Sequence, residues 1–306
     1  LKFIIVGAGI AGLLLGSRLF SDVILFDRRR VFGKKCTGII SRHTFERLGV
    51  SKEYIDAPFD TIKISVGKDS VFIKTNIIRL NREKLERDLA ENLKVLHPTS
   101  VNLINEHCVG TNVESFCGKV ILATGWQGRA RWVKAIEEEK EPINEDFISV
   151  FLDKRNPAGF SWIVPLGDRT LVGAISYSDP RLFVPHIDKR RIGIHGGIIP
   201  RVKPKKVTLG YIGDSTGLIK TFTGGGIFSI ARLLEPVQNW LVYDKDYSSE
   251  LKLLSKEVSR QYLMTSILEK TWDISLKSIK LLKDRTFHIN NEFDLHSLLF
   301  KRLFSN

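Results

Sequence analysis

The chain has 306 residues, 43% hydrophobic and 26% charged, a balance that excludes a disordered or low-complexity protein and allows about two domains. A net charge of +13 points toward an anionic partner, but no recognised nucleic-acid motif or aromatic-interleaved basic run accompanies it, so nucleic acid is not expected. The longest apolar run, Phe3 to Gly16, is too short and glycine-rich to span a bilayer and no signal peptide precedes it, so a cytoplasmic protein is expected. The three cysteines, Cys36, Cys108 and Cys117, form no C-x-x-C pair, and neither a disulfide framework nor a zinc or iron–sulfur site is expected.

Phe3-Ile4-Ile5-Val6 is a short β-branched apolar run that reads as a buried strand. Gly7-Ala8-Gly9-Ile10-Ala11-Gly12 follows, a G-x-G-x-x-G that opens a helical pattern through Leu13, Leu14, Leu15 and Leu19. Gly7 makes the turn, Gly9 lets the backbone approach a pyrophosphate, and Gly12 lets helix pack on strand. A second strand, Val23-Ile24-Leu25-Phe26, ends at Asp27, 20 positions after Gly7, where a ribose hydroxyl needs an acceptor. The unit therefore reads as a dinucleotide site.

Gly33-Lys34-Lys35-Cys36-Thr37-Gly38 is too glycine-rich and basic for a regular element, and it emerges at the ligand-bearing edge of the sheet. Cys36 is either a thiolate favoured by Lys34, Lys35 and Arg42 or a small residue packed against a ligand. Thr61 to Val66 and Ser70 to Ile73 alternate about Gly67-Lys68-Asp69 as a hairpin. Asn81 caps a helix with Leu85, Leu89 and Leu93 on one face and Arg82 in its first turn. Thr99 to Leu103 reads as a short strand, and Gly118 to Gly125 as a buried strand whose last glycine permits close approach to a ligand.

From Ile143 to Thr208 the pattern changes to strands without helices, over Phe147 to Leu152, Phe160 to Val164 and Thr170 to Tyr177. In Gly159-Phe160-Ser161-Trp162-Ile163-Val164-Pro165, Phe160, Trp162 and Val164 share one face, as a sheet core or as the wall of an apolar site. Between Arg181 and Lys206 eight Lys or Arg stand against Asp188, reading as a solvated loop or as a surface for an anionic membrane, a phosphorylated substrate or an acidic redox partner. A strand from Val207 to Ile212 leads to Gly213-Asp214, and Thr223-Gly224-Gly225-Gly226-Ile227-Phe228 opens a second helix through Ala231, Leu233 and Leu234. Two ligand-facing strand ends, one for a pyrophosphate and one for a polyol and ring, suit FAD rather than NAD.

Gly7–Gly12, Gly33–Gly38, Phe160-x-Trp162-x-x-Pro165, Gly213-Asp214 and Thr223–Ile227 together resemble the geranylgeranyl reductase family of flavoproteins, within the p-hydroxybenzoate hydroxylase-like class. The resemblance covers most of residues 1–240. It implies that Ala11 and Gly12 meet the FAD pyrophosphate, Asp27 the adenosine ribose and Val101 the adenine region. It places Cys36, Thr37 and Gly38 along the flavin, Arg82 against the cofactor and Asp214 at the ribityl or pyrophosphate region. Gly226 and Ile227 would reach the isoalloxazine, Gly125 and Gly225 are further cofactor-binding candidates, and Phe160, Trp162 and Pro165 would help line an isoprenoid tunnel. Two departures from the pattern are Thr124-Gly125, where Asp-Gly is usual, and Glu86, where an aspartate is usual.

The expected architecture is α/β, a Rossmann-like FAD-binding domain (1–60, 74–142 and 207–245) with an inserted antiparallel-sheet substrate domain (61–73 and 143–206). Residues 246–306 form a helical, basic C-terminal region with Leu251, Leu254, Val258 and Tyr262 on its apolar side, either a cap or a membrane-facing surface. The function implied is reduction of isolated double bonds in a geranylgeranyl or related prenyl-lipid chain by hydride from reduced FAD, with Cys36 as the candidate catalytic residue and an unidentified electron donor. The alternatives are a flavin monooxygenase or halogenase, whose Trp-x-Trp-x-Ile-Pro lies near Phe160-x-Trp162-x-Val164-Pro165, and a non-enzymatic flavoprotein docking to an acidic partner or membrane. An electron-transfer dehydrogenase would need more cysteines for its cluster.

Overall fold

The computed structural model describes residues 2–19, 22–204 and 209–289. In chain order, β1 (Phe3–Val6), α1 (Ile10–Leu19), β2 (Val23–Phe26), β3 (Ile39–Ser41) and α2 (Arg42–Leu48) lead to a long hairpin, β4 (Ile55–Val66) and β5 (Asp69–Leu80). Next come α3 (Arg82–Glu91), β6 (Val95–Leu96), a small meander of β7 (Asn102–Asn105), β8 (Cys108–Gly110) and β9 (Ser115–Cys117), and β10 (Lys119–Leu122). β11 (Arg131–Lys140), β12 (Ile148–Phe151), β13 (Phe160–Pro165), β14 (Thr170–Ser176) and β15 (Arg191–Arg201) follow without an intervening α-helix. The last elements are α4 (Ile227–Tyr243), α5 (Ser248–Lys270), α6 (Trp272–Lys280) and β16 (Thr286–His288).

Among the described residues these strands form a four-stranded parallel sheet, ordered β10-β1-β2-β6, and a nine-stranded sheet ordered β15-β11-β14-β13-β12-β4-β5-β16 with β3 on β5. β1 and β2 are almost wholly apolar because helices cover one face and the meander lies toward the other, so no residue of β2 can face water. α1 seats on β1 through its third glycine: a Cβ on Gly12 would lie 1.9 Å from the carbonyl oxygen of Gly7. Asn81 caps α3 by accepting from the Lys84 N–H at 3.0 Å, as its position before the apolar periodicity predicts.

The large sheet draws on more of the chain than the alternation pattern suggested. The hairpin runs over residues 55–80 rather than 61–73, and β11, a charged-looking segment, pairs along its length with β14 and β15. The basic stretch after Arg181 is no solvated loop over Arg191–Arg201, which form the edge strand β15; Arg190 and Arg191 are paired there with Glu141 and Glu138. Lys205 and Lys206 lie outside the described residues, as do Val207 and Thr208 of the expected strand 207–212. The remainder of that strand is one parallel bridge, Tyr211 to Leu122. The strand expected over 99–103 starts only at Asn102.

The expectation of no disulfide is corrected: Cys108 and Cys117 are bonded. They are direct partners in the β8–β9 register, a pairing across a turn that spacing rules built on C-x-x-C do not catch. Cys36 is free and half-buried.

The Gly12 contact leaves no room for a side chain. Gly12→Val should lower the unfolding free energy by about 3 kcal/mol or more, since the clash is with backbone and cannot relax by a rotamer change; urea unfolding of the variant beside wild type measures it.

Candidate functional site

A cavity of about 1280 Å³ opens where the carboxyl ends of β1, β2 and β10 meet one face of the large sheet. That is above the range of roughly 300–1,000 Å³ usual for a small-molecule pocket, so it has room for an extended ligand beside a second one. Gly7, Gly9, Ala11, Asp27 and Val101 line its first end. Cys36, Thr37, Gly38, Arg82, Gly125, Asp214, Gly225, Gly226 and Ile227 line it too, with Asp214 next to Gly213, which packs on Ala11. Of the residues the sequence assigned to a cofactor, only Gly12 does not reach the cavity; it lies beneath the turn, packed on Gly7.

The Asp27 carboxylate is already engaged. Oδ2 accepts from the Ala8 N–H at 2.7 Å and from Arg29 Nη2 at 2.9 Å, while Oδ1 accepts from the Arg29 backbone N–H and Nε at 2.8 and 3.0 Å. It therefore ties the glycine turn to the end of β2, and a ribose hydroxyl would have to share it with Arg29. Burial pushes the Asp27 pKa up, but the hydrogen bonds from Arg29 and Ala8 outweigh this and hold it below the ordinary carboxylate range.

Two buried charges hold the Cys36 loop: Arg79, which pattern reading did not single out, and Glu86, which it noted only as standing where an aspartate is usual. Arg79, almost fully buried on β5, donates from Nε to the Thr37 carbonyl at 3.3 Å and from Nη2 to the Cys36 carbonyl at 3.2 Å, and pairs through Nη1 with Asp56. Glu86, with no exposed surface, accepts from the Lys34 N–H at 3.0 Å and from Arg82 Nε at 2.6 Å. Burial alone would push the Arg82 pKa down, but the negative charges available at Glu86, Cys36 and Asp214 outweigh it and raise it above the ordinary arginine value. A fixed positive charge thus stands between the Cys36 loop and Asp214. The signal for Arg79 was present in the sequence, as a lone charge in the apolar run Ile77-Ile78-Arg79-Leu80.

The far half of the cavity is the face of the large sheet. Phe160, Trp162 and Val164 line it together with Ile62, Ile64 and Val150, while strand alternation turns Pro165 to the other face, away from the cavity. Phe160 stacks on Phe222 with ring centroids 5.5 Å apart. Two polar side chains also stand in this wall, Glu137 of β11 and His195 of β15, which sequence reading missed because the runs around them look like solvated charge.

The fold is shared with a geranylgeranyl bacteriochlorophyll reductase-like protein and with FAD-dependent proteins of known structure. A crystallised geranylgeranyl bacteriochlorophyll reductase-like protein from Thermoplasma acidophilum superposes with a TM-score of 0.79 at 17% identity, over 98% of this chain and 94% of its own. PqsL, a probable FAD-dependent monooxygenase from Pseudomonas aeruginosa, superposes with a TM-score of 0.68 at 13% identity, over 91% of this chain and 97% of its own. In sequence, the chain is 23% identical to digeranylgeranylglycerophospholipid reductase 2 of Methanosphaera stadtmanae, over 74% of each protein. No family model matches the chain.

The lowered Asp27 pKa sets a pH dependence. Its contribution to stability is complete above the ordinary aspartate value near 3.9 and is lost as pH falls through the lower folded value. Asp27→Asn should therefore be less stable than wild type at pH 7 and lose less on acidification, the two curves converging at the acid end; urea unfolding at stepped pH reads this directly.

Proposed function

We propose that this chain is an FAD-dependent reductase that saturates isolated double bonds of a geranylgeranyl or related isoprenoid chain carried on a membrane-lipid precursor. The observation that carries the reading is the continuity of the cavity: a glycine-lined half with bare backbone opens directly into a half walled by apolar and aromatic side chains.

The first half fits FAD. A Cβ on Gly9 would meet only the tip of Arg29 at 3.9 Å and one on Gly125 nothing within 4 Å, so backbone is accessible at both. α4 begins at Gly226 with no side chain capping it, which leaves its first N–H groups for an electron-rich ligand edge, and the Asp214 carboxylate lies against Gly226. Arg82 supplies positive charge between them. Bound and reduced, FAD supplies hydride for the alkene. Phe160, Trp162, Val164 and the isoleucines of β4 and β12 exclude water and hold the prenyl chain extended. Cys36, on the loop clamped by Arg79, positions the alkene or delivers a proton to it.

The test is anaerobic. The flavin of the purified protein is chemically reduced, a geranylgeranylated phospholipid is added, and flavin reoxidation is followed with the substrate's mass. Reoxidation with a gain of two hydrogens per step is expected, and Cys36→Ala should retain FAD yet lose this reaction; unchanged turnover would remove Cys36 from the mechanism. The likeness to PqsL supports a second reading, an FAD-dependent monooxygenase, which oxygen-dependent product with no anaerobic reduction would establish instead.

A lipid-borne substrate also has to reach the cavity. No helix among the described residues is long and apolar enough to cross a membrane. α5 instead presents Lys252, Lys256 and Arg260 at four-residue spacing beside Lys203, with Leu263 and Ile267 exposed further along. Its acidic Glu250 and Glu257 pair with Arg232 of α4. This surface suits an anionic bilayer, with charge attracting and the leucine and isoleucine inserting. Sedimentation with phosphatidylglycerol vesicles should exceed that with phosphatidylcholine vesicles, fall with added salt, and be lost in the triple variant Lys252→Glu, Lys256→Glu, Arg260→Glu.

A further inference from the structure

One row across the large sheet runs in direct register through Ile64, Val150, Trp162, Gly173, Glu137 and His195. Gly173 lets the row close up: a Cβ there would come within 2.4 Å of the Trp162 ring, so only glycine allows the indole to lie across β14 and reach β11. Trp162 Nε1–H donates to Glu137 Oε2 at 2.7 Å, and the Thr37 hydroxyl donates to the same oxygen. Glu137 Oε1 lies 3.2 Å from His195 Nε2. One carboxylate thus joins the Cys36 loop, the aromatic wall and an imidazole.

The exposures are graded. The Glu137 side chain is 4% exposed and that of His195 18%, and both line the cavity, with His195 the more accessible of the two. Nδ1 of His195 is buried with no hydrogen-bond partner among the described residues. Trp162 and Thr37 satisfy Oε2 of the carboxylate, while Oε1 is buried with no hydrogen-bond partner among the described residues and faces the imidazole. A single proton on the pair, on the carboxyl or on the imidazole, leaves it neutral in sum. Glu139, two residues along β11, interacts electrostatically with His195 and is itself paired with Lys35 and close to Arg169.

We propose that Glu137 and His195 form a one-proton reservoir that protonates the alkene during its reduction and is recharged from solvent through His195. The inference rests on the reductase reading above. Saturating one double bond forms two C–H bonds: hydride from the reduced cofactor supplies two electrons and one hydrogen nucleus, and the reservoir supplies the second. The proton leaves directly from Glu137, and the Thr37 hydroxyl and Trp162 indole N–H that converge on Oε2 stabilise the carboxylate left behind. The pair is left with one net negative charge, and the cost of burying that charge drives uptake of a proton at His195 before the next turnover. Cys36 then has a positioning role.

The test uses the FAD-loaded protein, its Glu137→Gln and His195→Gln variants, and the anaerobic assay with a geranylgeranylated phospholipid. Glu137→Gln should keep FAD content and substrate affinity within about threefold and slow single-turnover reduction by about 100-fold or more, the usual worth of a general acid. His195→Gln should spare the first turnover more than later ones, and added imidazole should restore the later ones. Independently of activity, nitrogen NMR of the imidazole and infrared spectroscopy of the carboxyl in the resting protein should find one proton on the pair at neutral pH. A carboxylate beside a neutral imidazole there overturns the proposal even if a variant fails to fold. Wild-type turnover that survives both substitutions removes this inference alone, whereas a wild type inert toward every prenyl substrate removes the reductase reading and the inference with it.

Discussion

The distance of 1.9 Å between a hypothetical Gly12 Cβ and the Gly7 carbonyl oxygen is the constraint on which the rest of the molecule depends. With hydrogen in that place, α1 lies directly on β1 and its N-terminus points along the carboxyl ends of the parallel strands. Those ends then form one side of the cavity, and Asp27, reaching back to the Ala8 N–H, holds the turn in that shape. The Gly213–Thr216 turn packs on the same helix: a Cβ on Gly213 would meet that of Ala11 at 2.8 Å, which places Asp214 beside the glycine turn although 200 residues of chain separate them.

Buried charge fixes what apolar packing leaves loose. The Cys36 loop is irregular and glycine-bearing, with no ladder of its own before β3. Arg79 takes the carbonyls of Cys36 and Thr37, and Glu86 takes the N–H of Lys34, so the loop is gripped from two neighbouring elements at once. Each gripping charge is itself paired, Arg79 with Asp56 and Glu86 with Arg82, as burial of charge requires. Specific geometry in an irregular segment is thus obtained from side chains on regular neighbouring elements rather than from the segment itself.

The large sheet supplies the complementary surface. Its period-2 alternation sorts side chains between a cavity face and an outer face, and the register across six strands converts residues far apart in the chain into one wall. Phe160 and Trp162 fall on the cavity face and Pro165 does not, although a linear motif joins all three. The same register puts Glu137 and His195 at the end of the aromatic row. Apolar chain binding and proton handling are therefore adjacent by strand order, with Gly173 as the gap that lets them touch.

The glycine motif, the strands and helix around it, the capped α3 and the second glycine-rich helix start were all legible in the sequence, because each depends on interactions within a few residues: hydrophobic period, capping and the absence of a Cβ. So was the alternation that places Phe160 and Trp162 together. Strand partners were not legible, and they decided the rest. β11 and β15 became sheet because each found an edge to pair with, and Cys108 met Cys117 through a hairpin register. Glu137 and His195, 58 residues apart, form a pair only after β11 and β15 have aligned, since pairing energy comes from long-range hydrogen bonds and burial that no local stretch of sequence contains.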